Sequence, residues 1–189
     1  MVVSCLEGLI REGDTMAVYD ASNAQCHIFT YKEGVLSAIA HDLKIRVTEF
    51  YIEVSDTDGS IRAEFDPGSL KVVCAMVGST ERASSLSESD KSKIERTIFN
   101  DVLNARRFPT VRFTSNDIRE AVTGPIVSGE LELHGSTKTI EAVGRRVEDR
   151  LELTVTLMQP DFGIKPYRAM MGTLRIQPRV KVQLSVPNG

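Results

Sequence analysis

GELELHGSTKTI, residues 129–140, reads as two alternating runs folded back on one another. Gly129, Leu131 and Leu133 fall on one side of the first run, with Glu130, Glu132 and His134 on the other. That period of two belongs to a strand with one buried and one wet face. Gly135 and Ser136 have the composition of a tight hairpin, so the flanking strands are expected to run antiparallel.

The same signal recurs on either side of this stretch. Leu43, Ile45 and Val47 alternate with Lys44, Arg46 and Thr48, and Leu151, Leu153, Val155 and Leu157 alternate with Glu152, Thr154 and Thr156. Val180, Val182, Leu184 and Val186 do so against Lys181, Gln183 and Ser185. The polar outer face excludes a barrel that faces lipid. Between Val47 and Phe50 the phase slips by one, which predicts a bulge or a bend. One segment breaks the pattern. SESDKSKIERTIFNDVLNARRF, residues 87–108, carries Ile94, Ile98, Val102 and Leu103 at helical spacing. Ser87 or Ser89 serves as its cap, Arg106 and Arg107 sit in its last turn, and Pro109 ends it.

The totals agree with a globular protein. The 189 residues suffice for one core, with 41% hydrophobic and 26% charged residues. A net charge of −3, spread without blocks, leaves no electrostatic footprint for phosphates, so no nucleic acid partner is expected. Cys5, Cys26 and Cys74 lack paired spacing and suit reduced thiols, with Cys74 read as a small core residue. No transmembrane segment and no secretory leader are read from the chain, so the expected location is cytoplasmic, or periplasmic for a trimmed form.

Motifs for chemistry are sparse. In AHDLKI, residues 40–45, His41 and Asp42 are adjacent, and neighbours on an extended chain point to opposite faces. They therefore suit strand-end hydrogen bonding better than a base and its orienting carboxylate. His27, His41 and His134 show no metal-ligand spacing. Asp161-Phe162-Gly163 copies the kinase metal-binding triplet, but the glycine-rich loop and catalytic-loop segment that would support it are missing. No cofactor is expected. Among the inward positions Gly129, Ala142 and Gly144 are small, which leaves two outcomes open: a dry cavity, or an interior filled by Phe113, Met76 or Phe162.

Four segments together resemble the YceI-like family of lipocalin-like barrels, in its branch with an early HD pair. They are AHDLKI (40–45), VLNARRFPTVRFTSNDI (102–118), GELELHGSTKTI (129–140) and DFGIKPYRAMMGTLRI (161–176). The resemblance spans about residues 18–186 of a single domain covering 1–189. It implies an all-β fold with one helix: an eight-stranded antiparallel lipocalin-like β-barrel with an α-helix, about 87–107, packed at one end. Some members look like carriers that enclose a polyisoprenoid chain, and no established catalytic residues come with the family.

The expected function is therefore a non-enzymatic binding protein for an apolar isoprenoid or fatty molecule held in the barrel. Its walls would be Ile45, Val47, Leu70, Val72, Leu131, Leu133, Val155 and Leu157, with Met76 and Phe113 reaching in. Phe162 with Met170 and Met171 would form a flexible rim. His41, Lys165 and Arg168 would meet a headgroup. Two alternatives stay open: an enzyme acting on a lipid with His41 at the rim, and a filled barrel acting as a structural or interaction module. A homodimer is left open as well.

Overall fold

A computed structural model of the chain describes residues 16–33, 41–55, 57–169 and 174–188. The strands are β1 (Met16–Asp20), β2 (Gln25–Lys32), β3 (Asp42–Val47), β4 (Phe50–Ser55), β5 (Ile61–Phe65), β6 (Leu70–Val77) and β7 (Thr80–Arg82). After the helix α1 (Glu88–Thr97) come β8 (Val111–Ala121), β9 (Gly124–Leu133), β10 (Ser136–Val147), β11 (Arg150–Met158), β12 (Arg168–Ala169) and β13 (Leu174–Pro187).

All pairings are antiparallel. The expected closed barrel of eight strands is corrected. Among the described residues, twelve strands follow one hydrogen-bonded path, β1-β4-β5-β8-β9-β10-β11-β13-β2-β3-β6-β7, with β12 paired to β13. The path has two ends and curls without closing by hydrogen bonds.

Two of the additional strands arise at a corner. Where the alternation slips, Thr48 and Glu49 separate β3 from β4, and a short turn at Pro67–Ser69 separates β5 from β6. Ser69 ties the two breaks together. Its hydroxyl accepts from the Thr48 and Glu49 N–H groups at 3.2 and 3.0 Å and donates to the Asp66 carbonyl at 2.8 Å. Each long ribbon is thereby bent and counts as two strands, one on each side of the curl. The small polar residue is buried because the corner's backbone donors need an acceptor there.

The hairpin that opened the sequence reading forms as an antiparallel pair, with Ser136 opposite Leu133 and Ile140 opposite Gly129. Its turn is one residue earlier than expected. His134 and Gly135 take φ of 53° and 75°, and Ser136 already belongs to β10. Positive φ at both central residues matches the right-handed twist of the strands it joins.

The helix is shorter than the predicted 87–107. Ser87 caps it by accepting the Asp90 N–H, but after Thr97 the backbone passes into a π-type turn over Ile98–Val102. There the Leu103 N–H reaches the Ile98 carbonyl at 2.9 Å, and Arg106 and Arg107 lie beyond the helix. The wider turn carries Ile98, Val102 and Leu103, which pack against the core. Glu95 docks α1 on β6: one carboxylate oxygen accepts the Val72 N–H at 2.9 Å and the other pairs with Lys71 at 3.2 Å. An edge donor is satisfied in this way, as an exposed strand edge requires.

Candidate functional site

The inward faces of β2 to β6, β8 to β11 and β13 surround a cavity of about 270 Å³. Ile45, Val47, Leu70, Phe113, Leu131 and Leu133 lie on its wall, as do Val155, Leu157 and Phe162. The wall is almost wholly hydrocarbon. Its polar members among the described residues are Thr30, Asp66 and Gln159, together with the Cys26 thiol. Burial pushes that thiol up to about 12, so it stays protonated and acts as a small apolar residue.

The small inward glycines do not create this space. A side chain at Gly129 would stand 2.6 Å from the Phe113 ring, which already leans over it, and would run into the Thr114 carbonyl. Gly144 is likewise closed off, by Pro125. Ala142 does line the cavity. The void is therefore not made by holes left at the glycines.

Several expected residues lie elsewhere. Val72 is buried in the core but off the cavity wall. Met76 is on the outer face, since an extra residue in β6 between the Ile45–Val72 and Lys44–Cys74 pairs shifts its phase. Phe162 is a buried wall residue and not a flexible rim: a short turn over Gln159–Phe162 ends at Gly163 with φ 70°, which turns both Phe162 and Ile164 inward. Met170 and Met171 lie outside the described residues.

The rim candidates do not converge. Lys165 and Arg168 are exposed, the latter paired through β12 with Arg175, and neither lines the cavity. His41 is partly buried just before β3 and is also off the cavity wall. Asp42 accepts the Lys32 N–H at 2.8 Å, the strand-end role expected of it. Among the described residues no group of three or more His, Cys, Asp or Glu side chains comes together to hold a metal. No helix among them is long and apolar enough to cross a membrane.

Sequence reasoning missed part of the wall. Ile61, Ala63 and Phe65 line the cavity from β5, and Ile98, Val102 and Leu103 from the end of the helix. The run IRAEF, 61–65, carries the alternation that would have revealed the first group. Nothing in the spacing signalled that the helix end would face the cavity.

On the other side of β2 and β3 lies an outer groove of about 410 Å³, with Phe29, Tyr31, Asp42, Lys44, Glu81 and Lys181 on its sides. Lys44 pairs with Glu81 at 2.7 Å, and the Lys181 ammonium sits 4.2 Å above the Phe29 ring. Nearby His27 is held down at about 4, chiefly by burial and then by the charges of Lys44 and Arg46, against the opposing pull of Glu81.

An apolar cavity inside a curled antiparallel sheet, with a helix end against it, agrees with the family comparison: a YceI-like domain matches residues 19–187. The chain belongs to the YceI-like family. In fold this YceI-like chain is similar to BcnA of Burkholderia cenocepacia, with a TM-score of 0.57 at 12% identity over 90% of this chain and 99% of that one. It is similar also to a polyisoprenoid binding domain from Saccharophagus degradans implicated in plant cell wall breakdown, with a TM-score of 0.56 at 13% identity over 92% and 98% of the two chains. At such identities the likeness speaks for the fold. No curated protein matches the sequence.

Proposed function

We propose that this protein binds an apolar, isoprenoid-like lipid in its cavity and acts as a carrier or store for it, without catalysing a reaction. The observation that carries the reading is the 270 Å³ cavity, whose described wall is hydrocarbon apart from a few uncharged or peripheral polar groups. A wall of that kind recognises a ligand by burial. Each methylene taken from water contributes about 0.8 kcal/mol, so ten contribute about 8 kcal/mol, enough to exceed the cost of ordering a flexible tail. The polyisoprenoid binding domain of Saccharophagus degradans, similar in fold, adds support for this ligand class. Catalysis finds less support, because His41 is off the wall and, among the described residues, no nucleophile and base meet within it.

Native mass spectrometry of the full chain, purified from its own host and followed by organic extraction, tests the reading. The expected result is one apolar lipid per chain, lost when Leu131→Trp or Val155→Trp fills the cavity. A clean unliganded mass, unchanged after incubation with prenyl lipids of several lengths, overturns it.

A further inference from the structure

The charges that lie without blocks along the chain are sorted by the fold. Three neighbouring strands, β13, β2 and β3, carry six lysines and arginines against one acidic residue, Asp42. On the other side of the curl the balance reverses, and β4, β5, β8 and β9 carry six acidic residues against three arginines. A protein of net charge −3 thus presents one positive flank.

The cations of this flank stand on its outer face, interleaved with rings. Lys44 lies opposite Phe29 and Arg46 opposite His27. The Lys181 ammonium caps the Phe29 ring, and the Arg179 guanidinium sits 5.3 Å from the centre of the Tyr31 ring. Among the described residues Arg46, Arg179 and Lys181 have no carboxylate partner, whereas Arg112 and Arg119 on the acidic side are paired with Glu64, Glu132 and Glu141. The nearby acids are already engaged: Asp42 accepts the Lys32 N–H, and Glu81 reaches from β7 to Lys44. The titration of His27 reports the resulting field, since after burial it is the charges of Lys44 and Arg46 that oppose its protonation. Apolar side chains border the cations. Met158, exposed, lies opposite Arg179, and Met76 shares the outer groove with Tyr31.

We infer that the outer face of β13, β2 and β3 docks the protein on an anionic bilayer surface, with Arg46, Arg179 and Lys181 toward the headgroup phosphates and Tyr31, Met76 and Met158 beside them. Cations set among aromatic and apolar side chains on one face suit the headgroup layer, where ring and methionine lose water while the charges keep their phosphates. Each lysine or arginine brought to such a surface is worth about fivefold in binding. A soluble acidic chain would use the cations but leave Met158 and Tyr31 without a reason to stand among them. The inference goes beyond the carrier reading and stands apart from it: it says where the molecule meets a lipid layer, whatever its cavity holds.

Sedimentation of the full chain with vesicles is the test. The protein is expected to bind phosphatidylcholine vesicles that contain about one third phosphatidylglycerol, to ignore phosphatidylcholine alone, and to let go as salt is raised. Arg179→Gln combined with Lys181→Gln is expected to weaken this binding about twenty-fivefold, at about fivefold for each charge. Arg112→Gln combined with Arg119→Gln changes the net charge equally on the acidic side, and is expected to leave binding within about twofold of the parent. Binding to neither vesicle or to both alike, binding insensitive to salt, or equal loss in the two double variants overturns the inference, and the first two readouts need no variant. Polyglutamate that binds more tightly than vesicles of matched charge overturns the bilayer in favour of a soluble acidic partner. All of these outcomes leave the cavity reading standing, because vesicle binding is measured on the chain with or without its lipid.

Discussion

Two faces of one strand pair, β2 and β3, make opposite uses of the same alternation. Their inward positions, among them Ile28, Ile45 and Val47, line an apolar cavity, and their outward positions, His27, Phe29, Lys44 and Arg46, build a charged and aromatic surface beside a groove. Both faces hold space, but the inner one is shaped by hydrocarbon and the outer one by ion pairing and a cation over a ring. The difference teaches where stability and where recognition reside. Burial on the inner face stabilises the sheet in proportion to apolar area, whereas an ion pair open to water such as Lys44–Glu81 on the outer face is worth little.

The largest expected effect tests the inner face. Ile45 is 2% exposed, and Ile45→Ala is expected to cost about 2–3 kcal/mol in urea unfolding. That lies low in the usual range, because the cavity already leaves one side of the residue without neighbours. A cost no greater than that of Lys44→Ala on the opposite face would break the comparison.

The next effect is a pH dependence of the outer face. His27 titrates at about 4 in the folded protein against 6.5 for the ordinary side chain. Between those values the unfolded chain binds a proton that the folded one refuses, so the stability linked to His27 is present above pH 6.5 and is lost as the pH falls toward 4. The melting temperature is expected to drop over this window, and to drop less in His27→Gln. Parallel curves for the two proteins would place His27 in open solvent.

The smallest effect is the ion pair. A double-mutant cycle on Lys44 and Glu81, whose side chains are 20% and 52% exposed, is expected to return about 0.5 kcal/mol, shrinking with added salt. A coupling several times larger would mean that the outer groove is drier than its geometry implies.

Much of the cavity wall was legible because alternation states which residues share a face. Leu131, Leu133, Val155 and Leu157 needed only that rule. Met76 failed because one extra residue in β6 inverts every position after it, and such a bulge leaves no mark in a run as uniformly apolar as LKVVCAMV. The strand count failed for a related reason. The corner at Thr48 and Glu49 was readable as a phase slip, but its partner at Pro67–Ser69 gains meaning only when Ser69 is seen to bond across to it. The helix end failed on propensity: IFNDV is compatible with an α-helix, and tertiary packing selected the wider turn.

The pairing of β2 with β13 sets the order in which the molecule can assemble. Cys26 lies opposite Leu184, so strands from the two extremes of the chain must meet before the curl is complete. Contacts of such long sequence separation form slowly, since the loop entropy is lost before the contact is gained. During synthesis the apolar inner rows of β3 through β11 therefore wait uncovered until the last strand emerges. The feature that makes the cavity continuous is thus also the one that exposes the nascent chain to aggregation and to chaperones.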